Sequence, residues 1–128
     1  MSYFEAPTQE PSEPGRFFQA GALPAITMLE GLTLRPAVGT NVMVSFVRYE
    51  PNVEAPLHAH VEEQIFIALE GEFEMELGGE VRTMRPGDGA LIPSWVTHRV
   101  KAGPQGGYQI DIFNPPRQGL LDRLESSG

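Results

Sequence analysis

Between Glu72 and Leu77 the chain alternates strictly between acidic and apolar side chains. A period of two puts Phe73, Met75 and Leu77 on one face of an extended segment and Glu72, Glu74 and Glu76 on the other, the signature of a strand with one face buried and one in water. Asn41 to Tyr49 carries Val42, Val44, Phe46, Val47 and Tyr49, the β-branched and aromatic mixture that suits a pleated sheet. Gln64 to Glu70 is apolar through its middle, with Gln64 in register with Phe66 and Ala68. An extended stretch is also predicted over Ile26–Leu34, with shorter strands at Glu80–Met84, Ala90–Ile92, His98–Lys101 and Tyr108–Phe113. Leu120, Leu121 and Leu124 are spaced for one side of a short C-terminal helical turn.

Turn signals separate these segments. Pro36 and the run Gly39 to Asn41 divide the first two, Gly78 and Gly79 close a two-residue hairpin, and Pro86 and Gly87 sit at the centre of a type II turn. With 14 Gly and 12 Pro in 128 residues, long helices are excluded and many short strands are favoured. No internal repeat is visible. The expectation is an all-β sandwich or barrel in a single domain: a loose, acidic, proline-rich arm over residues 1–16, the barrel over 17–117 and a tail over 118–128. A chain of this length buries roughly two-thirds of its extended surface, enough for one core.

Charge and residue usage remove several functions. A formal net charge of −8 opposes nucleic-acid binding, which needs Lys and Arg against phosphates. The absence of cysteine removes disulfides, thiolate ligands and a cysteine nucleophile. No apolar run approaches the ~20 residues of a membrane span, and the first sixteen residues lack the basic start and apolar stretch of a signal peptide. A cytoplasmic protein is expected. An anionic substrate would need positive charge inside its pocket to outweigh the global field.

Two of the three histidines are His58 and His60. In a strand, side chains two apart share a face, so both imidazoles reach one point. Gln64 opens the next strand, with Glu62 and Glu63 beside it, and His98 lies beyond the Pro86–Gly87 turn, where the chain can fold back. This constellation resembles the cupins. Their first motif runs Gly, five residues, His-x-His, three or four residues, Glu, six residues, Gly; here it is Asn52, His58, His60, Gln64 and Gly71 at the same spacing. Their second runs Gly, five residues, Pro-x-Gly, two residues, His, three residues, Asn; here it is Gly87, Pro93, Trp95, His98 and Ala102. Asn52 tolerates left-handed backbone, whereas Trp95 in place of the turn glycine implies a different loop path.

The resemblance implies a double-stranded β-helix, the cupin jelly-roll barrel. It also implies one divalent metal held by His58, His60, Gln64 and His98, with Glu62 or Glu63 the competitors of Gln64. Three imidazoles and an amide oxygen suit Fe, Ni, Mn, Co, Cu or Zn without choosing among them. Cupins are commonly dimeric, so a homodimer is implied too.

Gln109, Asp111 and Phe113 share one strand face, and a carboxylate on a barrel-lining strand is costly unless it is paired or used. Arg117 follows two prolines and can grip a carboxylate through two parallel hydrogen bonds. Residues 111–117 resemble the Asp-x-Phe-Ser-Pro-Pro-Arg segment of the KdgF-type cupins, which linearise 4,5-unsaturated uronates. That likeness implies Asp111 as general acid/base, Arg117 as clamp on the carboxylate of a small anionic substrate, and an isomerase or lyase. The competing expectations are a metal-dependent dioxygenase, a non-catalytic cupin that binds a small ligand, and an Asp111–Arg117 salt bridge that only ties strand to tail.

Overall fold

Alternation builds two facing sheets. The computed structural model describes residues 3–127. Its strands are β1 (Ile26–Leu29), β2 (Leu32–Val38), β3 (Met43–Tyr49), β4 (Glu54–His58), β5 (Glu63–Glu70), β6 (Phe73–Leu77), β7 (Glu80–Met84), β8 (Gly89–Ile92), β9 (His98–Ala102) and β10 (Gly107–Asn114). A 3-10 turn at Ala20–Ala22 precedes them and helix α1 (Gln118–Ser127) follows. One sheet runs β1-β2-β3-β10-β5-β8 and the other β4-β9-β6-β7, every pairing antiparallel. This is the all-β jelly roll expected of a cupin, in one domain.

The inner faces supply the core. Val47, Tyr49, Phe66, Ala68 and Phe113 from the larger sheet meet Phe73, Met75, Val100 and Ala102 from the smaller. Phe73 is the keystone, packing edge-on against Tyr49 at 5.2 Å and Phe66 at 5.8 Å. Each such ring contributes about 1.5–3 kcal/mol by leaving water. The wet faces behave as the alternation demands: Arg99 pairs with Glu74 at 2.7 Å and Glu54 at 3.2 Å, and Arg85 with Glu72 at 3.3 Å. Exposed pairs of this kind contribute about 0–1 kcal/mol each.

Three elements differ from the sequence reading. Ile26–Leu34 is two strands, because Gly31 turns the chain at φ +83°. There a Cβ would lie 2.7 Å from Val53 Cγ2. Strand β4 went unforeseen because, as a thinly buried edge, it shows no alternation. The C-terminal segment is a ten-residue helix, not a single turn, and it seats Leu120 in the core. Among the described residues no helix is long and apolar enough to cross a membrane.

Gly107 gives a direct test of core packing. A Cβ there would stand 2.4 Å from Phe73 Cζ, and the ring, pinned by two neighbours, has little room to move. Gly107→Ala is therefore expected to cost about 1–3 kcal/mol, read as an earlier midpoint in urea denaturation. An unchanged midpoint would mean that the core yields at this point.

Candidate metal centre

Strands β4 and β9 lie side by side with His58 paired to His98, so two imidazoles start as cross-strand neighbours with ring centroids 4.2 Å apart. His60 arrives differently from the sequence expectation. Strand β4 ends at His58, and His60 lies just past it in a loop held by the Trp95 N–H donating to the His60 carbonyl at 2.9 Å. Trp95 itself takes the left-handed backbone of a turn glycine, at φ +67°, at a strain of about 1–2 kcal/mol. Asn52, in the first motif's glycine position, does the same at φ +64°.

The coordinating nitrogens of His58, His60 and His98 all lie within 4.8 Å of one another. Backbone carbonyls set their tautomers. Nδ1–H of His58 donates to Pro56 at 2.7 Å, that of His60 to Glu62 at 2.9 Å and that of His98 to Val96 at 3.0 Å. A carbonyl only accepts, so each Nδ1 holds the proton and each Nε2 keeps a lone pair for another partner. His98 Nε2 is buried and has no hydrogen-bond partner among the described residues.

Gln64 sharpens the picture. Its Nε2 donates to Asp111 Oδ1 at 2.8 Å, which turns Oε1 toward His60 Nε2 at 3.0 Å. Two acceptors face each other there, an arrangement that requires a proton or a metal cation between or beside them. A proton is disfavoured: burial first, then the Arg117 charge, holds His60 below the usual histidine range. The donor set therefore fits a divalent metal on His58, His60, His98 and Gln64. The rival carboxylates are placed elsewhere. Glu63 is exposed, and buried Glu62 accepts the Gln118 N–H at the start of α1 at 3.0 Å.

Asp111 shares this network. Buried on β10, it accepts from Gln64 and, at 3.0 Å to each oxygen, from Gln109 Nε2. Arg117, half-buried beside the Phe113 ring, acts on it through the longer-range field, so the carboxylate is held by amides and not by the salt bridge that might have tied strand to tail. The roles of Gln109 and Glu62 escaped the sequence reading. The spacing of Gln109 and Asp111 put them on one face but could not say that one grips the other. His58, His98, Gln64, Gln109, Asp111 and Arg117 line a cavity of about 280 Å³ between edge strands β1 and β4. A larger cleft, about 420 Å³ between β7 and β8, contains none of the histidines.

Burial pushes Asp111 up to about 6 against the opposing pull of Gln64, Gln109 and Arg117, and pushes His98 down to about 4. The signs oppose. A carboxyl whose folded value is raised favours the fold while protonated, so its contribution is lost as pH climbs from about 4 to 6. A histidine whose value is depressed favours the fold while neutral, so stability returns as pH climbs from about 4 to 6.5. Asp111→Asn removes the first effect and leaves the second. In metal-free protein the stability of the variant relative to the parent is expected to grow by about 2 kcal/mol between pH 4 and 6, measured by urea denaturation. A constant difference would contradict the raised Asp111 value.

Comparison with known proteins agrees with this geometry. A cupin domain is matched over residues 45–105, a span that includes all three histidines and Gln64. By fold, domain match and histidine placement, the chain has the single-domain cupin jelly-roll fold and resembles small cupins. Among solved structures it is similar to KdgF from Halomonas sp., at 28% identity, 84% of this chain, 100% of that chain and a TM-score of 0.79. An RmlC-like cupin from Shewanella frigidimarina is 25% identical over 84% of this chain and 96% of that one, with a TM-score of 0.77. Oxalate decarboxylase from Bacillus subtilis, 17% identical over 80% of this chain and 30% of that one at a TM-score of 0.71, shares the fold. Among curated proteins there is no significant match.

Proposed function

We propose that this cupin is a metal-dependent enzyme of isomerase or lyase type that moves a proton on a small carboxylate substrate. The observation that carries the reading is the shared amide of Gln64, which faces His60 through Oε1 at 3.0 Å and holds Asp111 through Nε2 at 2.8 Å. One side chain thereby joins the candidate metal ligands to the one buried Asp in the cavity. Bound there, a divalent metal with four neutral ligands would supply Lewis-acid polarisation of a substrate oxygen.

The chain's own residues divide the remaining work. Asp111, buried and raised toward neutral pH, is the group suited to take or give a proton at carbon. Arg117 offers the fixed positive charge that an anionic substrate needs against a net charge of −8. Gln64 and Gln109 keep the Asp111 oxygens in place. The Asp111–Arg117 segment and the similarity to KdgF make 4,5-unsaturated uronates the first substrates to assay.

The assay follows loss of the conjugated double-bond absorbance with metal-loaded protein. A decay abolished by chelator and by Arg117→Ala at low substrate supports the reading. Absence of decay with any of Fe, Ni, Mn, Co, Cu or Zn would remove the uronate reaction. Binding of the same compound without turnover would assign a non-catalytic role.

A further inference from the structure

The cavity has two unlike halves. Its polar pole holds His58, His98, Gln64, Gln109, Asp111 and Arg117, and the amide donors there are turned to Asp111. Gln109 Oε1 is buried without a partner among the described residues. The opposite wall is built mostly by the apolar side chains of Met28, Leu32, Leu34, Val47, Ala55 and Val100, with the Tyr49 hydroxyl as the polar atom beside them. The wall follows from the fold: Leu32 and Leu34 point inward from β2, Val47 from β3 and Val100 from β9, while Met28 on edge strand β1 closes the side.

We infer that the site selects a small carboxylate with an apolar body over a polyhydroxylated sugar acid. The inference rests on the reading of Arg117 as carboxylate clamp, and within the proposed class of small carboxylates it ranks hydroxyl-rich uronates below acids with an apolar body. A ligand whose carboxylate lies at Arg117 must lay the rest of itself along the apolar wall. Each hydroxyl buried there without a partner weakens binding by roughly tenfold, while each methylene strengthens it. A cavity of about 280 Å³ has room for a single six-membered ring with its carboxylate.

The test compares cyclohexanecarboxylate with D-glucuronate, two six-membered rings bearing a carboxylate, of which only the second carries ring hydroxyls. Each is titrated calorimetrically into Zn²⁺-loaded protein. Cyclohexanecarboxylate is expected to bind at least ~10-fold more tightly. Met28→Gln, of similar size and at the cavity's edge, is expected to weaken cyclohexanecarboxylate about fivefold or more and to leave glucuronate within about twofold. Equal or tighter binding of glucuronate to the parent protein would overturn the inference, as would a Met28→Gln variant that keeps the parent's preference. The clamp reading fails separately, if Arg117→Ala leaves both affinities unchanged. If neither compound binds the parent protein, both readings fall.

Discussion

Replacing His98 with alanine is expected to weaken metal binding by ~100-fold or more. The reason lies in the contacts. His98 is 1% exposed, its Nδ1–H is committed to the Val96 carbonyl, and its Nε2 is a buried acceptor with no partner among the described residues. A buried lone pair left unmatched is costly, and in a folded protein it persists where something outside the protein chain completes it. Calorimetric titration of metal-free parent and variant with Zn²⁺ reads the loss directly. His58→Ala, at a half-buried position less exposed to packing damage, is expected to show the same direction. Parent-like affinity in both variants would remove the histidines from the site.

The second large effect belongs to Asp111. Asparagine keeps the shape and still accepts from Gln64 through its carbonyl oxygen, so the ligand arrangement survives while the proton-transfer group is lost. In the proposed reaction Asp111→Asn is expected to lower kcat by ~10²–10⁴-fold with metal content retained. The split is informative: a purely structural Asp111 would give a variant with altered stability and near-parent kcat. Steady-state kinetics together with metal analysis of the same preparation separates the two.

How much of the fold and site is legible in the sequence depends on whether the signal is local. Residues 72–77 announced a half-buried strand because their alternation is produced by the very environment they occupy. Strand β4 announced nothing, because an edge strand with an exposed Pro56 and Leu57 shows no period. Gly31 was a lone residue in an apolar run, and only its positive φ reveals the turn. The histidines were readable from spacing, since ligand geometry demands fixed offsets. The loop that brings in His60 was not, for it depends on a bond to Trp95 far along the chain. Glu62 stood as a rival metal ligand until the start of α1 was found against it. The apolar wall of the cavity could not be read locally at all, as it gathers side chains from both sheets.

The central claim is that four neutral side chains meet on one cation. Crystals soaked with Zn²⁺ and measured for anomalous scattering test it most directly. One strong peak is expected within coordination distance of His58 Nε2, His60 Nε2, His98 Nε2 and Gln64 Oε1. A peak at exposed acidic groups such as Glu72 and Glu74 instead, with nothing among the histidines, would contradict it.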